Sequence, residues 1–540
     1  MGDAPDDQRE ARSSDGMTLA DVAREIPGAT TIEGDGSVRL FGVHHDSRRV
    51  EPGDLFVVRK GETSDGARFV DSAKEKGAVA ILAAWGVDVG SDRPVLRVDD
   101  VPTALAYAAA AVYGHPAFSL DVVGITGTNG KTTTTHLLRA AIDGAIAGPT
   151  PSCGIVGTVG HSYAGRTIPA SHTTPEADEL ARVMAIMKKR GATHVAMEVS
   201  SIALVLARVK AVRFRVAAFT NLTQDHLDFH GSMDEYAEAK KMLFTTAEPG
   251  LAVINVDDAF GRELARIAKC KVIRVRTRID GHRAEVFPHA ITLTATGMRI
   301  IADVAGKRVD LDTRLIGMHN VENLLVTLGI VAALELDVHR AAKALEAEPG
   351  APGRLERCDG EGDDVIVLVD YAHTPDALAR VLDAVKGVAI DQARVICVFG
   401  CGGDRDATKR GPMGQAAGER ADLVIVTSDN PRTEMPEAIA TPIEQGVRST
   451  GHSRLAKQEL VAAKRGYAIE LDRKKAIGAA IRAARAGDIV VIAGKGHEDY
   501  QIIGTEKRPF DDRVEARRAL EDRRAGTPAP ESWRGPIEKA

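Results

Sequence analysis

Residues 121–135 read DVVGITGTNGKTTTT, and this stretch decides the fold. Val122, Val123 and Ile125 form an apolar, β-prone run. Gly127-Thr128-Asn129-Gly130 is a tight glycine turn, Lys131 and Thr132 follow it, and THLLRAA continues as helix-compatible sequence. Strand, glycine loop, Lys-Thr and helix together make a phosphate cradle. Backbone N–H groups converge on it, the helix N-terminus adds a positive dipole end, the lysine adds a charge, and the threonine hydroxyl can ligate Mg²⁺. The usual pattern has glycine where Ile125 stands, and the nearest upstream glycine is Gly124. The Gly-Lys-Thr ending after a strand and before a helix points to a nucleoside triphosphate.

A chain of 540 residues is too long for one core and implies three or four domains. A hydrophobic fraction of 44% with 27% charged residues belongs to a globular protein in water. The net charge of −6, without a long basic run, gives no reason to expect nucleic acid. Five cysteines, Cys153, Cys270, Cys358, Cys397 and Cys401, form no CxxC pair and read as reduced thiols of a cytoplasmic protein. The acidic, polar start carries no apolar signal region. No apolar run approaches the roughly 18 residues that span a bilayer, and LLVTLGIVAALEL reads as a buried helix. No membrane partner is expected.

Residues 1–16 and the Pro-rich tail 525–540 read as disordered. Residues 17–117 mix short strands (SVRLFGV, DLFVV, AVAILAA, PVLRV) with helical runs, giving a smaller mixed α/β domain. From 118 to about 350, apolar runs such as ATHVAMEVS, RVAAFTNL and LAVINVD alternate with helical stretches, the rhythm of a mostly parallel sheet. Ligands of such sheets bind beyond the carboxyl ends of the strands, where Glu198, Asn221, Asp225 and His226 fall. From 351 to 520, VIVLVDYAHTP, RVICVFGCGGDRD, ADLVIVTSDNPR and DIVVIAGKGHE predict a second doubly wound, Rossmann-like domain. The GCGG run at 400–403 lacks the spacing of a dinucleotide fingerprint.

Taken together, GTNGKTTT, HTTPE, MEVSS, FTNLTQDHLDFHGSMDEYAEAK, GMHNVEN, PGRLE, DYAHTPDAL and GCGGDRD resemble the Mur ligase family across about residues 17–515. Within it, DYAHTPD, DNPRTE and GKGHEDYQ resemble the members that add the third amino acid. The resemblance implies an N-terminal UDP-substrate-binding domain (17–117), a central P-loop ATPase-type domain (118–350) and a C-terminal amino-acid-binding domain (351–520). It implies ATP-dependent addition of meso-2,6-diaminopimelate to UDP-N-acetylmuramoyl-L-alanyl-D-glutamate through an acyl phosphate, by a monomer acting on small molecules.

The resemblance also implies residue roles. Gly127, Thr128, Asn129, Gly130, Lys131, Thr132 and Thr133 would hold ATP, with Asn320 facing adenine, Arg354 the phosphates and Asp370 the ribose. Mg²⁺ would be held by Thr132, and a second Mg²⁺ by Glu198 and His226 with Lys240, carbamylated, in support. Lys131, Glu198, His226 and Lys240 are thus the catalytic candidates, and the adjacent Lys241 a surface residue. His45, Ser47, Thr173, Thr174, Ser200 and Arg208 would contact the UDP-linked dipeptide, with the Glu62-Thr63-Ser64 turn beside them. Two positions depart from the family pattern: Ile202 stands where many relatives carry histidine, and Leu206 where glutamine is frequent.

Asp429-Asn430-Pro431-Arg432 bears on the acceptor. Diaminopimelate carries a carboxylate at its far end that L-lysine lacks, and a pocket arginine attracts that carboxylate while repelling an ammonium. Arg405, Gly494 and Glu498 would complete the pocket, Glu498 pairing with the distal ammonium. His373 and Lys495 are neighbours without an assigned role. The rival readings are the same ligase adding L-lysine, a folylpolyglutamate synthetase, and a nucleotide-hydrolysing switch without ligase activity.

Overall fold

Among the described residues the alternating apolar strands and helices assemble three large sheets of five, eleven and six strands, beside two two-stranded ribbons. The computed structural model describes residues 9–59, 66–90, 92–282, 284–294, 296–389 and 393–526, and the Glu62-Thr63-Ser64 turn lies outside them. The chain divides into two compact units, Met1–Ala290 with Ile301–Leu311 and Glu322–Glu346, and Ile291–Ile300 with Asp312–Val321 and Ala347–Ala540.

In the first unit, β1 (Thr30–Glu33), β2 (Gly42–His44), β3 (Asp54–Val57), β4 (Ala80–Ala84) and β5 (Val95–Val98) form a five-stranded sheet in the order β1-β5-β4-β3-β2. Only β1 pairs antiparallel. Helix α1 (Val101–Val112) covers it with small side chains, Ala104, Ala108 and Ala109 being fully buried.

The central sheet is built on β6 (Asp121–Thr126), which runs through the glycine loop into α2 (Lys131–Ile146). Strands β7 (Cys153–Gly157), β8 (Gly160–Tyr163) and β9 (Arg166–Ile168) lead to α3 (Ala177–Lys189) and β10 (His194–Glu198). Then come β11 (Phe214–Phe219), α4 (Met233–Thr245), β12 (Leu251–Asn255), β13 (Lys271–Val275), β14 (Val286–Thr294), β15 (Gly297–Val304) and β16 (Lys307–Thr313). The order is β9-β8-β7-β10-β6-β11-β12-β13-β14-β15-β16. Both neighbours of β6 are parallel to it, and Val122, Val123 and Ile125 are fully buried, as β-branched residues on a sheet covered on both faces should be. A Cβ at Gly124 would come within 2.6 Å of the Phe214 ring, which explains glycine inside this strand.

In the second unit, β17 (Glu356–Arg357), β18 (Ile366–Asp370), β19 (Val395–Phe399), β20 (Leu423–Val426), β21 (Gly466–Ile469) and β22 (Ile489–Ala493) take the order β17-β18-β22-β19-β20-β21. All pairs but β17–β18 are parallel. Helices α5 (Arg473–Ala483) and α6 (Asp512–Arg524) pack on it, after the ribbon of β23 (Tyr500–Ile503) and β24 (Glu506–Pro509). The three-domain α/β fold expected from the sequence is thus present. Among the described residues no helix is long and apolar enough to cross a membrane, and Leu324, Leu325, Val326 and Ile330 of the longest apolar run are fully buried.

The expectation of disorder over 1–16 is corrected for residues 9–16, residues 1–8 lying outside the described part. Arg12 pairs with Glu51 at 3.2 Å and with Asp54, while Glu10 pairs with Arg190 at 2.5 Å. Lys189 Nζ donates to the carbonyls of Glu10 and Arg12 at 2.8 and 2.7 Å. The charges that made this segment look solvated find opposite charges on the folded surface.

The N-terminal ends of β19 and β22 are tied by a buried ion pair. Arg394 lies 2.7 Å from Asp488 and donates to the carbonyls of Leu460, Ala463 and Ala483. Asp488→Ala leaves this guanidinium buried without its counter-charge, a change that costs about 3–5 kcal/mol. A lowered midpoint of urea unfolding checks it.

Candidate active site

Sheet register puts the first site together. Glu198, the last residue of β10, pairs with Ile125 of β6, and Ala218 and Phe219 of β11 flank the same end from the other side. The glycine loop therefore leaves the sheet between a carboxylate and the 220–223 segment. A Cβ on Gly127 would overlap Thr220 Oγ1, and one on Gly130 would overlap Asn323 Oδ1, so both glycines are demanded by close approach. Gly130 also has φ +87°. Asn221 holds the turn from both ends, its carbonyl accepting from Thr128 N at 2.8 Å and its Oδ1 from Asn129 N at 3.0 Å.

Thr132 Oγ1 donates to Glu198 Oε2 at 2.9 Å, so the expected phosphate-loop hydroxyl and carboxylate meet. Thr158 N donates to Glu198 Oε1 at 2.7 Å, and a Cβ at Gly157 would overlap that oxygen. Lys131 Nζ donates to the carbonyls of Gly127 and Thr128, each at 2.9 Å, and so lies folded over its own loop. Thr133 is buried in the first turn of α2.

Helix α4 separates the two adjacent lysines that sequence alone could only rank. Lys240 is 1% exposed, and its Nζ donates to Gly127 O at 2.9 Å and lies 4.5 Å from the Tyr236 ring. Burial, reinforced by the charge of Lys131, holds this amine well below the usual lysine pKa. Lys241 on the next face pairs with Glu238 at 2.6 Å and Glu263 at 3.2 Å.

His226 has φ +52°, lies 3.6 Å from Asp225, and meets Tyr236 edge-on with ring centroids 6.2 Å apart. Tyr236 in turn reaches Thr128 Oγ1 at 3.2 Å. The structure joins Glu198 to Thr132 and His226 to the Tyr236 side of the loop. Among the described residues no three His, Cys, Asp or Glu side chains gather as a metal site. The oxygen donors Thr132 and Glu198 nevertheless suit a hard cation such as Mg²⁺.

Beside Glu198 lies a polar path formed by the expected dipeptide residues. Thr174 Oγ1 donates to Glu198 O at 2.8 Å and accepts from Ser200 N at 3.0 Å, and Thr173 Oγ1 lies 3.0 Å from Thr158 Oγ1. Arg208 donates to Thr174 O at 3.0 Å and pairs with Glu176 at 2.6 Å. Ser47 is buried in a 3₁₀ turn capped by Asp46.

Three acids at the start of α3 engage three bases from the first sheet's loops. Arg59 meets Glu176, His45 Nδ1 lies 2.9 Å from Asp178, and Arg49 lies 3.4 Å from Glu179. Sequence reasoning missed these partners because the acids and bases stand more than 110 positions apart.

The other expected residues belong to the second unit. Asn320 donates to Ile316 O at 2.9 Å. Asp370 is buried and accepts from Leu355 N and Ala372 N, each at 2.7 Å; burial raises its pKa against the opposing Arg354 charge. Arg354 lies 4.7 Å from the Tyr371 ring, and its buried Nε has no hydrogen-bond partner among the described residues.

Strand ends also build the DNPR region. Gly400 and Gly403 pack where a Cβ would overlap the carbonyls of Thr427 and Pro431, so the GCGG run serves backbone approach to the 427–431 segment. Pro431 is buried, and Arg432, with φ +51°, donates from Nη1 to Gly403 O at 2.8 Å. No carboxylate among the described residues pairs with Arg432. Arg405 is exposed, and Gly494 has φ +114°. Glu498 Oε2, expected to wait for a substrate ammonium, accepts from Lys495 at 3.0 Å and Asn430 Nδ2 at 3.1 Å.

Comparison with known proteins fits this geometry. The Mur ligase middle domain matches residues 125–331, the Mur ligase glutamate ligase domain 353–496, and the Mur ligase family catalytic domain 40–113. The UDP-N-acetylmuramoyl-L-alanyl-D-glutamate–2,6-diaminopimelate ligase of Gloeobacter violaceus is 44% identical over 492 residues, covering 90% of this chain and 95% of that protein. The chain belongs to the Mur ligase family. A ligase with the same description from Geobacter metallireducens is 42% identical over 517 residues, covering 94% of this Mur ligase and 99% of the relative. A solved structure of such a ligase superposes with a TM-score of 0.66 at 32% identity, covering 94% of this chain and 99% of that one. A folylpolyglutamate synthase of Mycobacterium tuberculosis shares the fold alone, at 18% identity over 79% of this chain and 95% of its own, with a TM-score of 0.56. As a Mur ligase, the protein is an ATP-dependent ligase.

The His45–Asp178 contact generates a pH dependence. Burial lowers the His45 pKa, but the Asp178 charge and hydrogen bond outweigh it, and the net shift is upward. A raised folded-state pKa means stability fully present below the unfolded value of about 6.5 and lost as pH rises through the folded value. The melting temperature of the parent should therefore exceed that of His45→Gln most at pH 6, with the gap closing toward pH 9. A gap constant across this range would mean that no titration is linked to the contact.

Proposed function

We propose that this Mur ligase joins an amine of diaminopimelate to the D-glutamyl carboxylate of UDP-N-acetylmuramoyl-L-alanyl-D-glutamate at the expense of ATP. The observation that carries the choice of acceptor is Arg432, a guanidinium fixed by the Gly403 carbonyl and paired with no carboxylate among the described residues. An acceptor with a second carboxylate completes it; L-lysine brings only a cation there. The identity to relatives with this described activity supports the same reading.

In this reading the glycine loop orients the triphosphate by its backbone N–H groups, and Lys131 swings from its loop carbonyls to the β/γ-phosphates. The substrate carboxylate oxygen takes the γ-phosphoryl group, giving an acyl phosphate and ADP. The acceptor amine then bonds to the acyl carbon, the carbon–oxygen bond to phosphate breaks, and the amine sheds a proton. Thr132 would hold one Mg²⁺, and Glu198 and His226 a second supported by carbamylated Lys240, and bound Mg²⁺ supplies charge neutralisation for phosphoryl transfer. Arg208, Thr173, Thr174 and Ser200 position the dipeptide, with His45 and Ser47 on the nucleotide side. Asn320, Arg354 and Asp370 serve ATP, and Arg405, Asp429, Asn430, Pro431, Gly494 and Glu498 surround the acceptor.

The buried Lys240 amine, held toward its neutral form, suits carbamylation: its lone pair bonds to CO₂ and one proton leaves, turning the neutral amine into an anion beside the loop. The protein acts as a monomer in the cytoplasm in this reading. Its five free cysteines, four of them buried, accord with a reducing compartment.

Three experiments test the proposal. ADP release in the presence of UDP-dipeptide should depend on diaminopimelate and be weak with L-lysine, and Arg432→Ala should raise the KM for diaminopimelate at least about tenfold with little change for ATP. Lysine-dependent turnover exceeding that with diaminopimelate would overturn the assignment. Lys240→Ala should lose most activity and recover part of it with formate or acetate, which replace the carbamate; unchanged activity in this variant would remove Lys240 from the machinery.

A further inference from the structure

Lys495 is 0% exposed, and neither the motif reading nor the family reading gives it a role. Its ammonium has three donors, and three acceptors meet them: Glu498 Oε2 at 3.0 Å, Asn430 Oδ1 at 3.1 Å and Asp429 Oδ1 at 3.3 Å. The Tyr500 ring lies 5.5 Å from Nζ. The Asn430 amide is locked in one orientation. Its Oδ1 also accepts from Ile502 N at 2.9 Å, and its Nδ2 donates to Glu498 at 3.1 Å. With every donor used and no exposed surface, Lys495 is not available to bind substrate itself.

A separate buried pair lies close by: Arg473 and Asp512, both 0% exposed at the side chain, pair at 2.6 Å, and Arg473 also donates to Ala493 O at 2.9 Å and to Ser428 O at 3.4 Å. Asp429 and Glu498 both face Lys495. Arg432 stands three positions after Asp429, with its backbone pinned to the 500–504 ribbon through Ile502 O at 3.1 Å and Gly504 N at 2.8 Å, yet neither carboxylate pairs with it. Guanidinium–carboxylate hydrogen bonds are among the strong ones, so a carboxylate left without a partner in this region would compete for Arg432. Here a buried ammonium holds both of them.

We propose that Lys495 is a specificity-determining positioning residue. By holding the Asp429 and Glu498 carboxylates and the Asn430 amide, it keeps Arg432 available for the distal carboxylate of the acceptor. This rests on the proposed acceptor reading. Replacing the ammonium by an apolar side chain of similar length frees the Asp429 and Glu498 carboxylates from it and makes this site more negative by one charge. That disfavours a ligand carboxylate and favours a ligand ammonium.

The test is the steady-state preference of Lys495→Met for diaminopimelate over L-lysine, with saturating ATP and UDP-dipeptide, alongside the parent and the double variant Lys495→Met/Asp429→Asn. The ratio of kcat/KM values should fall at least about tenfold in the single variant, through the KM for diaminopimelate. Removing the freed Asp429 charge should recover part of the diaminopimelate use. Equal loss for both acceptors, or a further loss in the double variant, overturns the inference, because a packing role is not repaired by a second substitution. Where lysine turnover is too slow to measure, recovery or further loss in the double variant decides. A parent enzyme without diaminopimelate-dependent turnover sinks the acceptor reading itself, an outcome distinct from a parent that works and a variant that keeps its preference.

Discussion

The chemistry of the first unit depends on parallel strand register. Because β10 lies against β6 with Glu198 opposite Ile125, a carboxylate arrives beside the glycine loop where Lys131 and Thr132 open α2. A slip of one residue would turn Glu198 to the other face of the sheet. The glycines serve the same register. Without side chains at Gly127 and Gly130, Thr220 and Asn323 can press against the loop, and the Asn221 backbone and side chain hold its N–H groups in place.

Buried charge is the second organising constraint. Lys240, Arg394, Arg473 and Lys495 are all 5% exposed or less, and each meets oxygen acceptors. The partners differ in a way that matters for function. Arg394 and Arg473 have dedicated aspartates and knit the fold. Lys495 draws carboxylates away from Arg432. Lys240 has a backbone carbonyl, an aromatic face and a repelling Lys131, and burial holds its amine well below the usual lysine pKa.

Much of this was legible in sequence. The alternation of apolar runs and helical stretches foretold three α/β domains, and strand C-termini foretold where Glu198, Asp370 and the 429–432 segment would lie. Three features were not legible. Residues 9–16 looked solvated because composition counts charges without seeing Glu51, Asp54 and Arg190 waiting for them. The GCGG run looked like a failed nucleotide fingerprint, whereas its glycines admit the backbone of the 427–431 segment. Glu498 looked like an open ligand for an ammonium, and one of its oxygens already serves Lys495 and Asn430.

Sequence by itself determined the element types, the phosphate loop, the family and the residue kinds available for catalysis, because periodicity and motif spacing are local properties of the chain. Only the tertiary structure decided which of two adjacent lysines is buried, since helix phase against the loop separates Lys240 from Lys241. Only it paired His45 with Asp178 across 133 positions. It also showed that Arg432 pairs with no carboxylate among the described residues, because whether a charge is compensated depends on which distant groups the fold brings to it.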